Sequence, residues 1–136
     1  MPDETTGLIL KHLEDDKWVP AELFGLPPGC EYQIFMPDGG DQHMAIVCRF
    51  PPGYLEPEHV HADTAHWGVI LEGEMHVNGE ILRRGDYHYA VPNVPHGPFY
   101  YPKGCTVFGT VVGPSILHEY TEEAAKIDPR LVEVQQ

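Results

Sequence analysis

The sequence predicts an all-β sandwich or barrel. Fourteen glycines and fourteen prolines in 136 residues call for many turns and short strands. His43 to Phe50 reads as a strand in which Met44, Ile46, Cys48 and Phe50 share one face and His43, Ala45, Val47 and Arg49 the other. Asn78-Gly79 stands between two short alternating runs, the strongest short-range signal of a β-hairpin.

The elements follow in order. The chain is long enough for one domain with a real core and shows neither internal repeats nor a linker, so we expect a single domain over 1–136. Residues 1–16 are polar and acidic around Leu8-Ile9-Leu10 and read as an arm suited to a partner subunit. The core barrel is expected over about 17–113. Lys17 to Leu23 reads as an edge strand that tolerates Pro20, and Gly25 to Gly29 as a turn. A strand is expected over Glu31 to Met36, closed by Pro37-Asp38-Gly39-Gly40. The strand His43 to Phe50 follows, with His43 on a face that could look inward as a supporting residue, not a ligand. Glu74 to Leu82 is the Asn-Gly hairpin, and Arg83 to Asp86 a turn. Tyr87 to Val91 is a strand in which either face could be inward. Pro98 to Tyr101 and Cys105 to Val112 read as a hairpin about Pro102-Lys103-Gly104. Thr121 to Lys126 is a short helix with Thr121 as N-cap, within a C-terminal helix and tail over 119–136.

Composition excludes several classes of partner. The formal net charge of -13 and a pI of about 4.9 argue against nucleic acid and anionic membranes, both of which need a basic patch. The start, MPDETTG, has no apolar signal region, and no apolar run reaches a membrane span. Cys30, Cys48 and Cys105 are odd in number, widely spaced and without a CxxC pattern. They read as free thiols of a cytoplasmic protein and not as zinc ligands.

The stretch from Pro52 to Gly73, PGYLEPEHVHADTAHWGVILEG, concentrates the chemistry. Alternation along a strand puts His59 and His61 on one face with Val60 on the other. Ala62 to Ala65 suits a hairpin loop, which would bring His66 onto a neighbouring strand opposite that pair. His96 is presented by the loop Pro92 to Pro95. Imidazole is the commonest protein ligand for borderline divalent metals, and we read the four histidines as one metal site. His76, Tyr87 and Tyr89 are weaker candidates for the pocket, and Glu58, on the face opposite His59, reads as a surface or supporting residue. Trp67 should point away from His66, and His12 and His118 look incidental.

These residues resemble a known family. Gly53, His59-x-His61, His66 and Gly73 have the spacing of the first cupin motif, in which Glu is usual at the position of His66. Gly85 to His96 resembles the second, with its proline one residue late at Pro92, Asn93 where glycine is usual, and Tyr100 in place of a frequent asparagine. The two motifs cover about a third of the chain. Within the cupins, Trp18-Val19-Pro20, the run from Pro28-Gly29 to Phe35, Arg49 to Gly53 and Gly104-Cys105 are similar to the group of the ChrR anti-sigma-factor domain and 2,4'-dihydroxyacetophenone dioxygenase.

The resemblance implies a double-stranded β-helix, or jelly-roll, barrel with a short C-terminal helix. It implies one divalent transition metal held by His59, His61, His66 and His96, with Fe(II) favoured over Zn, Ni or Mn, and a homodimer that takes a small-molecule substrate. Four neutral imidazoles would leave the metal more charged than three and a carboxylate, which suits an anionic, bidentate oxygen substrate such as an enolate. If His66 is unbound, a three-histidine site remains and His66 becomes an acid, base or orienting group. The expected activity is a dioxygenase acting on a small enolisable diketone or hydroxyketone. Redox-neutral isomerase, lyase or cyclase chemistry, and a non-catalytic sensor or binding module, are the alternatives, because the fold alone does not fix a reaction.

Overall fold

The computed structural model describes residues 7–35, 43–115 and 117–127. In chain order the strands are β1 (Val19–Pro20), β2 (Glu31–Ile34), β3 (His43–Phe50), β4 (Tyr54–Glu56), β5 (His59–Val60), β6 (Ala65–Gly73), β7 (Met75–Val77), β8 (Glu80–Leu82), β9 (Tyr87–Ala90), β10 (Phe99–Tyr101), β11 (Cys105–Val112) and β12 (Glu119–Tyr120). A 3-10 turn, Ala21–Phe24, follows β1, and one short helix, α1 (Glu122–Ile127), follows β12. The expected turn after Phe35, the first six residues of the arm and the tail from 128 lie outside the described residues.

One sheet has the order β1-β2-β3-β11-β6-β9 and a second the order β4-β10-β7-β8. A third pairing joins β12 to β5. Every pairing of named strands is antiparallel. The core lies between the sheets, where alternation delivers Ile46, Cys48 and Phe50 from β3 and Cys105, Val107 and Val111 from β11. Phe50 stacks on Tyr101 with ring centroids 3.9 Å apart. All three cysteines are buried and free. Burial pushes the Cys30 and Cys48 thiols up, and that of Cys105 to about 12, so they remain protonated.

Several local expectations hold. β3 keeps its predicted bounds. Asn78 and Gly79 both have positive φ, 52° and 78°, the requirement of a tight hairpin turn between β7 and β8. The Thr121 hydroxyl accepts from Ala124 N–H at 3.2 Å and caps α1.

Other expectations are corrected. The edge strand over 17–23 shortens to β1, because Ala21 turns into the 3-10 segment and is itself fully buried. His43 does not look inward: the packed face of β3 is that of Met44, Ile46, Cys48 and Phe50, and His43 lies on the face of the exposed Arg49. β5 and β6 are not hydrogen-bonded neighbours. β5 pairs with β12, and β6 with β11 and β9, so the Ala62–Thr64 turn crosses between sheets. β10 and β11 likewise form no hairpin. β10 pairs with β4 and β7, and β11 with β3 and β6.

Candidate metal centre

β5 carries His59 into the interior, where its residue is completely buried, and His61 follows two residues on at 5% exposure. An antiparallel bridge between His59 and His96 fixes the third histidine opposite the first: His59 N–H donates to His96 O at 3.0 Å, and His96 N–H to His59 O at 2.9 Å. The loop before His96 is pinned by Asn93, at φ 65°, whose side chain accepts from Asp63 N–H and donates to the Asp63 carboxylate.

Each of these three rings is oriented by a backbone carbonyl. The Nδ1–H of His59 donates to Pro57 O at 2.7 Å, that of His61 to Leu117 O at 3.0 Å and that of His96 to Val94 O at 3.0 Å. A carbonyl can only accept, so each Nδ1 carries the proton and each Nε2 presents a lone pair. The ligand atoms of the three converge within 4.8 Å of one another. The Nε2 atoms of His59 and His96 are buried with no hydrogen-bond partner. A buried acceptor without a partner costs about 1–3 kcal/mol, a cost that a cation between the three nitrogens would remove. The donor set therefore fits a divalent metal.

His66 stands beside this group and outside it. Its ring centroid is 5.1 Å from that of His61 and 5.4 Å from that of His96, and its Nδ1 is buried without a partner. His88, on the paired strand β9, lies 5.5 Å from His66, ring to ring. Tyr87 and Tyr89 face outward, which settles which face of β9 is inward. Burial is the main cause that holds the imidazoles of His59, His66 and His88 below their ordinary range and that of His61 at about 3. Neighbouring histidines add to the effect: His118 at His59 and His61, and His61 first at His66. His59, His61, His66 and His88 are thus neutral at pH 7, the state that ligates.

A cavity of about 50 Å³ adjoins the cluster, lined by His61, His66 and His88 and by Ile46, Phe50, Met75, Phe99, Val107 and Val111. That volume is room for roughly three or four waters, so the space suits a small, largely apolar molecule. Trp67 also borders the cavity. His76 does not border it and donates instead to Glu74 at 3.2 Å. Glu58 lines a separate surface groove with Pro57 and Pro98.

Two residues of the centre went unread in the sequence. His118 is no incidental residue: it is 5% exposed, and its ring centroid lies 4.1 Å from that of His59 and 4.6 Å from that of His61. Its Nε2–H donates to Glu56 Oε2 at 3.0 Å, and the Tyr101 hydroxyl donates to Glu56 Oε1 at 2.7 Å. Glu56 carried a faint signal, as the second of two inward positions on β4 (Tyr54 and Glu56, around the exposed Leu55). His118 carried none, since the chain returns to the site only through the β12–β5 pairing.

Two facing sheets with imidazoles converging between them make this a cupin. More specifically, the chain matches the model of the ChrR Cupin-like domain over residues 6–114 and belongs to that family. Its fold is similar to that of an acetylacetone dioxygenase from Acinetobacter johnsonii, with 17% identity, a TM-score of 0.69 and coverage of 94% of this chain and 93% of that one. An RmlC-like cupin from Shewanella frigidimarina is 26% identical over 70% of this chain and 80% of its own, with a TM-score of 0.52. The anti-sigma ChrR, solved in complex with SigE of Rhodobacter sphaeroides, shows 22% identity and a TM-score of 0.58 over 74% of this chain and 51% of that one. None of the curated proteins matches the chain. Among the described residues no helix is long and apolar enough to cross a membrane.

Proposed function

We propose that this protein is a mononuclear metal-dependent dioxygenase acting on a small enolisable diketone or hydroxyketone, with His59, His61 and His96 as metal ligands and Fe(II) as the favoured ion. The observation that carries the reading is the convergence of three imidazoles, their ligand atoms within 4.8 Å of one another and each Nδ1 held by a carbonyl, which leaves Nε2 as the nitrogen on offer. A divalent metal held by His59, His61 and His96 would supply Lewis acidity toward an anionic oxygen substrate. The likeness in fold to an acetylacetone dioxygenase, over nearly the full length of both chains, directs the choice of substrate class.

The chain's own groups have separate tasks. Ile46, Phe50, Met75, Phe99 and Val107 keep the cavity apolar and small, so that a compact diketone displaces its water. His66 lies beside the ligands with a buried, unpartnered Nδ1. This supports reading His66 as the group that accepts the proton a diketone loses on becoming an enolate, or as a fourth imidazole ligand. His88 Nδ1, also buried without a partner, is a second hydrogen-bonding group on the same wall.

The experiment is metal analysis by mass spectrometry on untagged protein purified anaerobically, as wild type, His66→Ala and His96→Ala, followed by oxygen uptake with acetylacetone-type diketones and hydroxyketones. Iron in the wild type with substrate-dependent oxygen uptake is the expected result. Metal kept in His66→Ala with uptake lost makes His66 an acid–base or orienting group; metal lost from it makes His66 a ligand. Turnover without oxygen replaces the dioxygenase by redox-neutral chemistry. A wild type that takes up no iron, zinc, manganese or nickel refutes the metal centre. The family's ChrR member favours one further reading, a metal-dependent binding module, which would show ligand binding with no product.

A further inference from the structure

We propose that Glu56, His59 and His118 form a second cation seat, which takes a divalent transition metal and shares His59 with the three-imidazole seat. This deepens the metal-centre reading and rests on it. The ligand atoms of the three lie within 4.8 Å of one another, and all three residues are buried. Glu56 Oε2 is 3.0 Å from His118 Nε2 and 3.7 Å from His59 Nε2. Ligands about 2.1 Å from one ion stand about 3.0 Å apart at a right angle and about 3.4 Å apart in a tetrahedron, and can reach about 4.2 Å. Both separations therefore fit a common ion.

The remaining valences of the residues point the same way. Tyr101 occupies Glu56 Oε1, and Oε2 accepts from His118 Nε2–H, a bond that an ion between the two atoms would replace, leaving Oε2 as a one-oxygen ligand. His59 Nδ1 is committed to Pro57 O, so its buried, unpartnered Nε2 is the atom on offer. Where an ion takes His118 Nε2, the imidazole proton rests on Nδ1, the tautomer that His59, His61 and His96 already adopt. Two histidines and one carboxylate are a familiar set for redox-active and hydrolytic metals and leave a divalent ion with formally about +1, against about +2 beside three neutral imidazoles. His59 has a single lone pair to give, so one seat is complete at a time.

His118 comes from a segment beyond the family match, which ends at residue 114. That segment is fastened to the site at three points. β12 pairs with β5 through Tyr120 and His59, His118 N–H donates to Phe24 O at 3.0 Å, and the Tyr120 hydroxyl donates to Gly25 O. Leu117 in the same segment orients His61, so one stretch of chain serves both seats.

The test is titration of metal-free full-length protein with Co(II) under nitrogen, read by its visible absorption bands and by bound metal after desalting. His96→Ala and His61→Ala each dismantle the first seat and spare the second, and far-UV circular dichroism establishes that each is folded. Wild type and at least one of these variants should bind roughly one ion per chain. Adding Glu56→Gln or His118→Ala to that variant should weaken cobalt binding by about tenfold or more. The same substitutions in wild type should leave the ion in the first seat, with a different spectrum from that of the His96→Ala protein. Cobalt bound by wild type but by neither folded single variant overturns the second seat and leaves the metal centre standing. Equal binding with and without Glu56→Gln in the His96→Ala background also overturns it, and makes the Tyr101–Glu56–His118 chain a structural hydrogen-bond network. No cobalt in any form overturns both proposals.

Discussion

Replacing His61 by Gln in the metal-free protein should flatten the acid side of its stability curve. His61 is buried among other imidazoles, and its folded-state pKa is held down to about 3, chiefly by burial and next by His118. In the unfolded chain the same imidazole titrates near 6.5. The folded value is the lower one, so the unfolded state takes up the proton first as pH falls. The contribution is complete above about pH 6.5 and is lost progressively between about 6.5 and 3. Each pH unit in that window is worth about 1.4 kcal/mol, so at pH 4.5 the wild type has lost about 2.7 kcal/mol through this residue alone. Gln has no such titration. The measurement is urea denaturation with a chelator present, at pH 7.5 and 4.5, on both proteins. The pH-dependent loss should be smaller in His61→Gln by about 2.7 kcal/mol, with other titrating groups cancelling in the double difference. Equal losses in the two proteins would refute the assignment of His61 as a buried neutral imidazole.

Other outcomes follow from the same geometry. A divalent metal at a hundred times its dissociation constant should stabilise the folded protein by about 2.7 kcal/mol. A thermal melt with and without metal should show this in wild type and show it sharply reduced in His59→Ala, since His59 belongs to both seats. Tyr101→Phe keeps the stacking on Phe50 but leaves Glu56 Oε1 buried without its donor, at a cost of about 1–3 kcal/mol in chemical denaturation. Gly68→Ala would set a Cβ 2.8 Å from His88 Cε1 and 2.8 Å from Val107 Cγ1. It should cost about 1–3 kcal/mol as those side chains shift, and lower substrate turnover more than metal content, because the new methyl enters the cavity wall and not the ligand set.

What was legible in the sequence was local. The i, i+2 spacing of His59 and His61, the left-handed turn at Asn78-Gly79 and the Thr121 cap depend on neighbouring residues, and each appears as read. The errors lie where strand partners had to be chosen. A short turn between two β-rich runs reads as a hairpin, yet both the Ala62–Thr64 turn and the turn before Cys105 carry the chain across to the other sheet. Alternation fixes which residues share a face, but it does not say which face is inward. Hence the sequence permits an inward role for His43 and allows either face of Tyr87-His88-Tyr89 to be the inner one. His118 was unreadable for a stronger reason: its place beside His59 comes from a pairing between residues some sixty positions apart, with no spacing rule to announce it.

The chemistry of the centre depends on the dryness that also makes it costly. His59 Nε2 and His96 Nε2 have no hydrogen-bond partner among the described residues, and the apolar wall of Phe99, Val107 and Val111 supplies none. Such a cluster is poorly solvated and electrostatically frustrated as soon as one member takes a proton, which is why acid should unfold it. The same features keep His59 and His61 neutral at pH 7, and Pro57, Val94 and Leu117 hold the three ligand rings in place, so an ion meets ligands already aimed. Two of those three carbonyls lie within two residues of the histidine they orient. The third comes from the C-terminal segment, so the aim of His61 depends on β12 staying paired with β5. A substitution that weakens that pairing, such as Tyr120→Ala, should therefore lower metal affinity with every proposed ligand intact. Unchanged affinity in a folded Tyr120→Ala protein would show that the segment's hold on His61 is immaterial.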